Sequence, residues 1–183
     1  MYRLGLPFGA VLLAVALAGA GSTQAMARTS APGSAAVHGT ANIMFYSINS
    51  DGPDFRAVVS GAIGDYGPAV TVYPDGKVDP GHNSDIELNL KRGSFRLNIE
   101  QLDKNFVKAA SHEPIYPRTC SDLFDFSVGV PIVPGSGTGA YRGITGGFSV
   151  TVTGDEVAAK PCSPQSRFLW QVIVVAGHGS VSV

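Results

Sequence analysis

Two runs of strict alternation constrain this chain more than any other feature of its sequence. Ile86, Leu88 and Leu90 alternate with Glu87 and Asn89; a few residues later Phe95, Leu97 and Ile99 alternate with Ser94, Arg96, Asn98 and Glu100. A period of two places every second side chain on the same face of an extended strand, so each run buries one face and wets the other. Lys91-Arg92-Gly93 between them fits a short hairpin loop, with glycine available for positive φ.

The same grammar continues along the chain. Short apolar or alternating runs at 43–48, 55–63, 69–73, 123–130, 147–153 and 168–175 are separated by Gly, Pro, Asn and Asp, which is the punctuation of an antiparallel sheet. Pro74-Asp75-Gly76 is a turn signal. Gln101 to Ser111, where Leu102, Phe106 and Ala109-Ala110 fall near helical spacing, predicts a helical turn or two and no more. With 23 Gly and 12 Pro, 44% hydrophobic and only 15% charged residues, short strands around a sizeable core are favoured over long helices. About eight strands imply an all-β domain, a sandwich or a closed barrel, and closure would remove exposed edges.

The first residues have the order of a secretory signal: Arg3, an apolar stretch from Leu4 to Ala20, then Ala25-Met26-Ala27 as the small-x-small cleavage pattern. The reading is a signal peptide over 1–27, cleaved after Ala27, because the apolar stretch is short of the ~20 residues a membrane span needs and is loosened by Gly5, Pro7 and Gly9. Residues 28–41, rich in Ala, Ser, Gly and Thr, read as a flexible leader, and 42–183 as one domain. Export implies an oxidising compartment, so Cys120 and Cys162 are expected to pair; no Cys-x-x-Cys or His-x-x-x-His supports a metal site instead. A net charge of −1 gives no electrostatic reason to expect nucleic acid or, after cleavage, an anionic membrane as partner.

The most distinctive segment is glycine-rich: Gly135-Ser136-Gly137-Thr138-Gly139-Ala140-Tyr141-Arg142-Gly143-Ile144-Thr145-Gly146-Gly147. A phosphate-cradling loop precedes a helix, but here alternating Phe148, Val150 and Val152 announce a strand; the spacing also fails the dinucleotide and P-loop patterns. The glycines then serve tight turns and close strand crossing, with Tyr141 packed across one of them. The pattern carried by Gly137, Gly139, Tyr141, Gly143 and Gly146 resembles a hairpin of the allene oxide cyclase and dirigent barrel superfamily, especially its exported bacterial members. Ser60-Gly61-Ala62-Ile63-Gly64-Asp65-Tyr66-Gly67 and Val72-Tyr73-Pro74-Asp75-Gly76-Lys77 are similar to its opening strands and their turn. The resemblance, spanning roughly Phe55 to the C-terminus, implies an eight-stranded antiparallel β-barrel with a central cavity. It also implies chemistry by confinement, cyclisation of a lipid epoxide or guidance of phenolic radicals, and it admits homo-oligomers. No active residue of the family maps onto a matching motif here.

Among chemically active residues, His112, Glu113, Tyr116 and Arg118 gather in a proline-stiffened loop next to Cys120, where a barrel mouth would let them meet a ligand. The alternative is a solvated connection. His82, Asp85 and Glu87 do not make a metal site, because Asp85 and Glu87 lie opposite Ile86 and Leu88 on the solvent side of the strand. Trp170 lines a cavity or belongs to the core. With no recognisable nucleophile and base, the expectation is a secreted barrel binding a small apolar ligand or serving a non-catalytic role, without cofactor. The alternatives are a cyclase-like or dirigent-like isomerase and a filled structural barrel.

Overall fold

The structure, a computed structural model, describes residues 38–48, 54–81, 84–110, 115–163 and 166–183. The expected signal segment and residues 28–37 of the leader lie outside the described residues, as do His82, His112 and Glu113. Among the described residues eight strands run in chain order: β1 (His38–Ile48), β2 (Asp54–Gly61), β3 (Asp65–Val72), β4 (Asp85–Leu90), β5 (Gly93–Asn98), β6 (Ser121–Pro131), β7 (Thr145–Ala158) and β8 (Phe168–Ser182). They form one sheet in the order β5-β4-β3-β2-β1-β8-β7-β6. Every neighbouring pair is antiparallel.

Alternation sets the inner face. In β1, Ala41, Ile43, Phe45 and Ser47 are buried while Asn42, Met44 and Tyr46 are exposed. The predicted hairpin is present, with Leu90 opposite Gly93 across the Lys91-Arg92 turn and Gly93 at φ 151°. The Tyr73–Gly76 turn is also as expected, closed by the Gly76 N–H donating to the Tyr73 carbonyl at 2.8 Å. β1 begins four residues before the expected domain boundary, because its partner there is remote in sequence: His38 to Ala41 pair with Ser182 to Gly179 of β8.

The sheet curls strongly but is open, not the closed eight-stranded barrel expected from the sequence. No ladder joins its two edge strands β5 and β6; an isolated bridge between Leu97 and Ile132 links β5 to the chain just beyond β6. Two features prevent closure. β5 ends at Asn98, where the chain turns into a helix, and Pro134 interrupts the segment that would extend β6 and has no N–H to donate. The glycine-rich segment lies along the β5 edge instead and satisfies it irregularly. Val133, Thr138 and Ala140 donate their N–H groups to the carbonyls of Arg96, Ser94 and Arg92 at 2.8, 2.8 and 2.9 Å. In return the Ser136 and Thr138 hydroxyls, in place of backbone carbonyls, accept from the N–H groups of Arg96 and Ser94 at 3.0 and 2.9 Å. Gly139 makes this approach possible: its φ is 55°, and a Cβ there would stand 2.4 Å from the Arg92 carbonyl oxygen.

The expected turn or two of helix is an eleven-residue helix, α1 (Glu100–Ala110), with Glu100 and Asp103 in its first turn and Lys108 in its last, as the helix dipole favours. Leu102 and Phe106 turn toward the sheet, and Phe106 meets Phe124 of β6 edge to face at 5.2 Å between ring centroids. Phe124 has room because it faces Gly154, where a Cβ would fall 2.2 Å from its ring. Cys120, immediately before β6, is joined to Cys162 beyond β7, with Cα atoms 4.9 Å apart. No helix among the described residues is long and apolar enough to cross a membrane.

Candidate functional site

The two ends of the curled sheet are built differently. At the end where β1 begins, the inner space is plugged. Tyr141, only 2% exposed, packs edge to face on Phe95 at 5.5 Å and donates its hydroxyl to Asp65 at 2.5 Å. The buried Asp65 carboxylate also accepts the backbone N–H groups of Tyr66 (2.8 Å), Lys91 (3.3 Å) and Arg92 (3.1 Å). The Arg92 guanidinium stands 3.5 Å away and binds the Ile63 carbonyl as well. Burial alone would raise the pKa of Asp65, but the hydrogen bonds from Tyr141, Tyr66, Arg92 and Lys91 outweigh it and hold the carboxyl below its ordinary value. The Tyr141 hydroxyl is pushed up to about 12 by burial and by Asp65. Tyr141 and the glycines around it are therefore a plug and a seam.

At the other end, the sheet and α1 line a cavity of about 370 Å³ that opens to solvent. Its walls are apolar: Phe45, Ile86, Val152 and Val175 from the sheet, Leu102 and Phe106 from the helix. No residue of α1 is fully buried: its apolar side chains pack partly on the sheet, as Phe106 does on Phe124, and partly border this space. The volume lies within the roughly 300–1,000 Å³ range of ligand pockets, and the mainly apolar lining with a few polar groups is their usual chemistry.

Four polar side chains reach the lining: Ser47, Thr71, Asp103 and Gln171. The Thr71 hydroxyl donates to the Asp79 carbonyl at 2.7 Å. Asp103 and Gln171 are likewise engaged in interactions. Ser47 differs: it is 4% exposed, and its Oγ has no hydrogen-bond partner among the described residues. Polar groups so buried are ordinarily paired, so Ser47 carries an unmet hydrogen bond within the wall, its oxygen covered and not open to the cavity.

Farther along the same face of β6 and β7, Asp122 stands directly opposite Glu156, and Glu156 opposite Gln171 of β8. Burial, and then the neighbouring Asp122 carboxylate, raises the pKa of Glu156. Neither carboxylate is on the described cavity lining.

Of the loop singled out in the sequence, Tyr116 and Arg118 are exposed and absent from the described lining; Tyr116 instead bridges Ser121 and accepts the Cys120 N–H at 2.8 Å. Its other two members, His112 and Glu113, are outside the described residues. Trp170 is neither core nor cavity: it is 39% exposed, while its neighbour Gln171 lines the cavity. Asp85 is not solvent-facing as expected but 5% exposed, 3.4 Å from the Arg96 guanidinium, which also binds the Pro74 carbonyl at 3.0 Å. Its pKa is raised by burial, which outweighs the attraction of Arg96. Among the described residues no three His, Cys, Asp or Glu side chains are placed to hold a metal ion. Comparison with protein-family models, with curated proteins and with solved structures returns no match to this chain.

Proposed function

We propose that this chain is an exported binding protein that holds a small apolar molecule in the cavity between the sheet and α1. The observation that carries this reading is the cavity itself, about 370 Å³ of apolar-walled space at one end of a sheet whose other end is plugged. Had the fold required only a packed interior, side chains would occupy that space, since protein interiors are close-packed. The order Arg3, Leu4 to Ala20, Ala25-Met26-Ala27 supports export, and the Cys120–Cys162 disulfide suits an oxidising compartment. The resemblance to the allene oxide cyclase and dirigent barrels favours a role for the hollow interior in the same way.

The test uses the full chain expressed in a secreting host and recovered from the exported fraction. Its mass should begin at Arg28, and N-phenyl-1-naphthylamine, a neutral dye that brightens in apolar surroundings, should titrate it saturably at one dye per chain. Ile173→Trp, which fills the cavity from β8, should remove that titration while the protein still melts cooperatively. A chain retained inside the cell with residues 1–27 attached overturns the export reading. Failure to bind the dye, or unchanged binding by the Ile173→Trp protein, overturns the cavity as the site.

A further inference from the structure

We infer that the disulfide-tied tip made by residues 115–121 and 157–170, beside the cavity, docks on the surface of an anionic lipid bilayer. Four large side chains stand out from it: Tyr116, Phe168, Leu169 and Trp170 are each 39–54% exposed. Scattered singly they would need no explanation, but the fold gathers them. Tyr116 bridges Ser121, Ser121 stands opposite Val157, Val157 opposite Trp170 and Ala158 opposite Phe168. The Ala158 N–H donates to the Cys120 carbonyl and the Ala159 N–H to the Arg167 carbonyl, each at 2.8 Å, and the Cys120–Cys162 bond joins the two segments into one unit. Gln171, the residue after Trp170, lines the cavity, so the tip and the cavity share an end of the sheet.

Charge identifies the partner. Residues 115–121 and 157–170 hold Arg118, Lys160 and Arg167 and none of the chain's 14 acidic residues, a local excess that the net charge of −1 conceals. All three cations are exposed, and no ion pair engages them among the described residues. The carboxylates next along the strands, Asp122, Asp155 and Glu156, are half-buried behind the tip, and the pKa of Glu156 is raised by burial and by Asp122. Exposed aromatic and aliphatic side chains set among cations suit a bilayer interface. Indole and phenol rings settle at headgroup level, leucine and phenylalanine reach the acyl chains, and lysine and arginine meet anionic headgroups. A second copy would bring the same three cations against their like, which disfavours self-association through this tip. Docking here would also place the cavity against the phase in which an apolar ligand resides, although the tip's own chemistry carries the inference without that role.

Trp170 is the chain's single tryptophan, so its fluorescence reports on the tip alone. The exported full chain is titrated with vesicles of phosphatidylcholine and with vesicles of phosphatidylcholine mixed with phosphatidylglycerol. At low salt the mixed vesicles should shift the Trp170 emission to the blue, lipid brominated in its acyl chains should quench it, and added salt should weaken binding. Neutral vesicles should bind at least about tenfold more weakly. Replacing Arg118, Lys160 and Arg167 together by serine should weaken binding to the mixed vesicles by about a hundredfold, about fivefold for each cation. Should that variant fail to fold, the salt dependence and the lipid comparison on wild type still decide. No blue shift with the mixed vesicles, equal binding by the neutral ones, or unchanged binding by a folded triple variant overturns the inference. A blue shift that grows with protein concentration in the absence of lipid assigns the tip to a second copy and overturns it as well. The N-phenyl-1-naphthylamine titration needs no vesicles: dye binding without vesicle binding fails the docking alone, and the reverse fails the cavity alone.

Discussion

Asp65 shows how much one side chain contributes to holding the plugged end together. Its carboxylate is the single acceptor that ties the β2–β3 turn, the β4–β5 turn and the glycine-rich seam to one point, through Tyr66, Lys91, Arg92 and Tyr141. Asp65→Asn keeps the shape but turns one acceptor into a donor facing N–H groups, which should cost about 2–3 kcal/mol. Because the folded pKa is depressed, the carboxylate's stabilisation is fully present above the unfolded value near ~3.9 and is lost as pH falls through the folded value. The gap in melting temperature between wild type and Asp65→Asn should therefore be wide at neutral pH and narrow in acid; a gap independent of pH would mean that charge is not what Asp65 supplies. In the sequence Asp65 was visible only as part of a turn-like motif, since its four donors come from three separate segments. Ser47 was more legible than its late emergence suggests: it falls two residues after Phe45 and four after Ile43, so alternation alone places its hydroxyl on the buried side.

Among the elements, the hairpin of β4 and β5 and the Tyr73–Gly76 turn could be read directly, because each is fixed by local chemistry. The length of α1 could not. Its apolar residues share one face but are few among charged and polar neighbours, so the segment as a whole reads as too polar to announce three turns of helix. The seam was hidden for a different reason: a loop whose serine and threonine hydroxyls stand in for carbonyls has no period to detect. The disulfide was legible from the expected oxidising compartment and the even count, and it acts at this scale by tying the start of β6 to the connection after β7 across 42 residues. Replacing both cysteines with serine frees a loop whose closure is worth about 4 kcal/mol in the chain-entropy model. Cys120 and Cys162 also hold left-handed φ values of 57° and 63°, which serine inherits without the bond that enforces them. Chemical denaturation of the Cys120→Ser, Cys162→Ser protein should show a loss of that order with an unfolding slope altered by the freer denatured chain; a loss below about 1 kcal/mol would mean that sheet pairing alone already fixes this region.

At the scale of the molecule, an all-β domain followed from the sequence, but whether its sheet would close depended on long-range geometry. Closure failed where β5 gives way to α1, and the same departure creates the space that α1 roofs. Open sheet and half-buried helix are thus consequences of one arrangement, and the apolar wall they leave uncovered sets stability against the proposed binding. Ile173→Phe tests that opposition. Phenylalanine at this partly exposed position of the lining places added apolar volume in apolar-walled space, favourable by roughly 1–3 kcal/mol, against some strain from fitting the larger side chain. A net gain of about 1–2 kcal/mol should raise the melting temperature by several degrees in a domain of this size. The same phenylalanine occupies the place proposed for the ligand, so saturable binding of N-phenyl-1-naphthylamine should disappear. A variant more stable than wild type yet unable to bind is the pattern of a site kept open at a cost in stability. A variant that is less stable and still binds would mean that the space beside Ile173 is already packed and that the dye sits elsewhere on the protein.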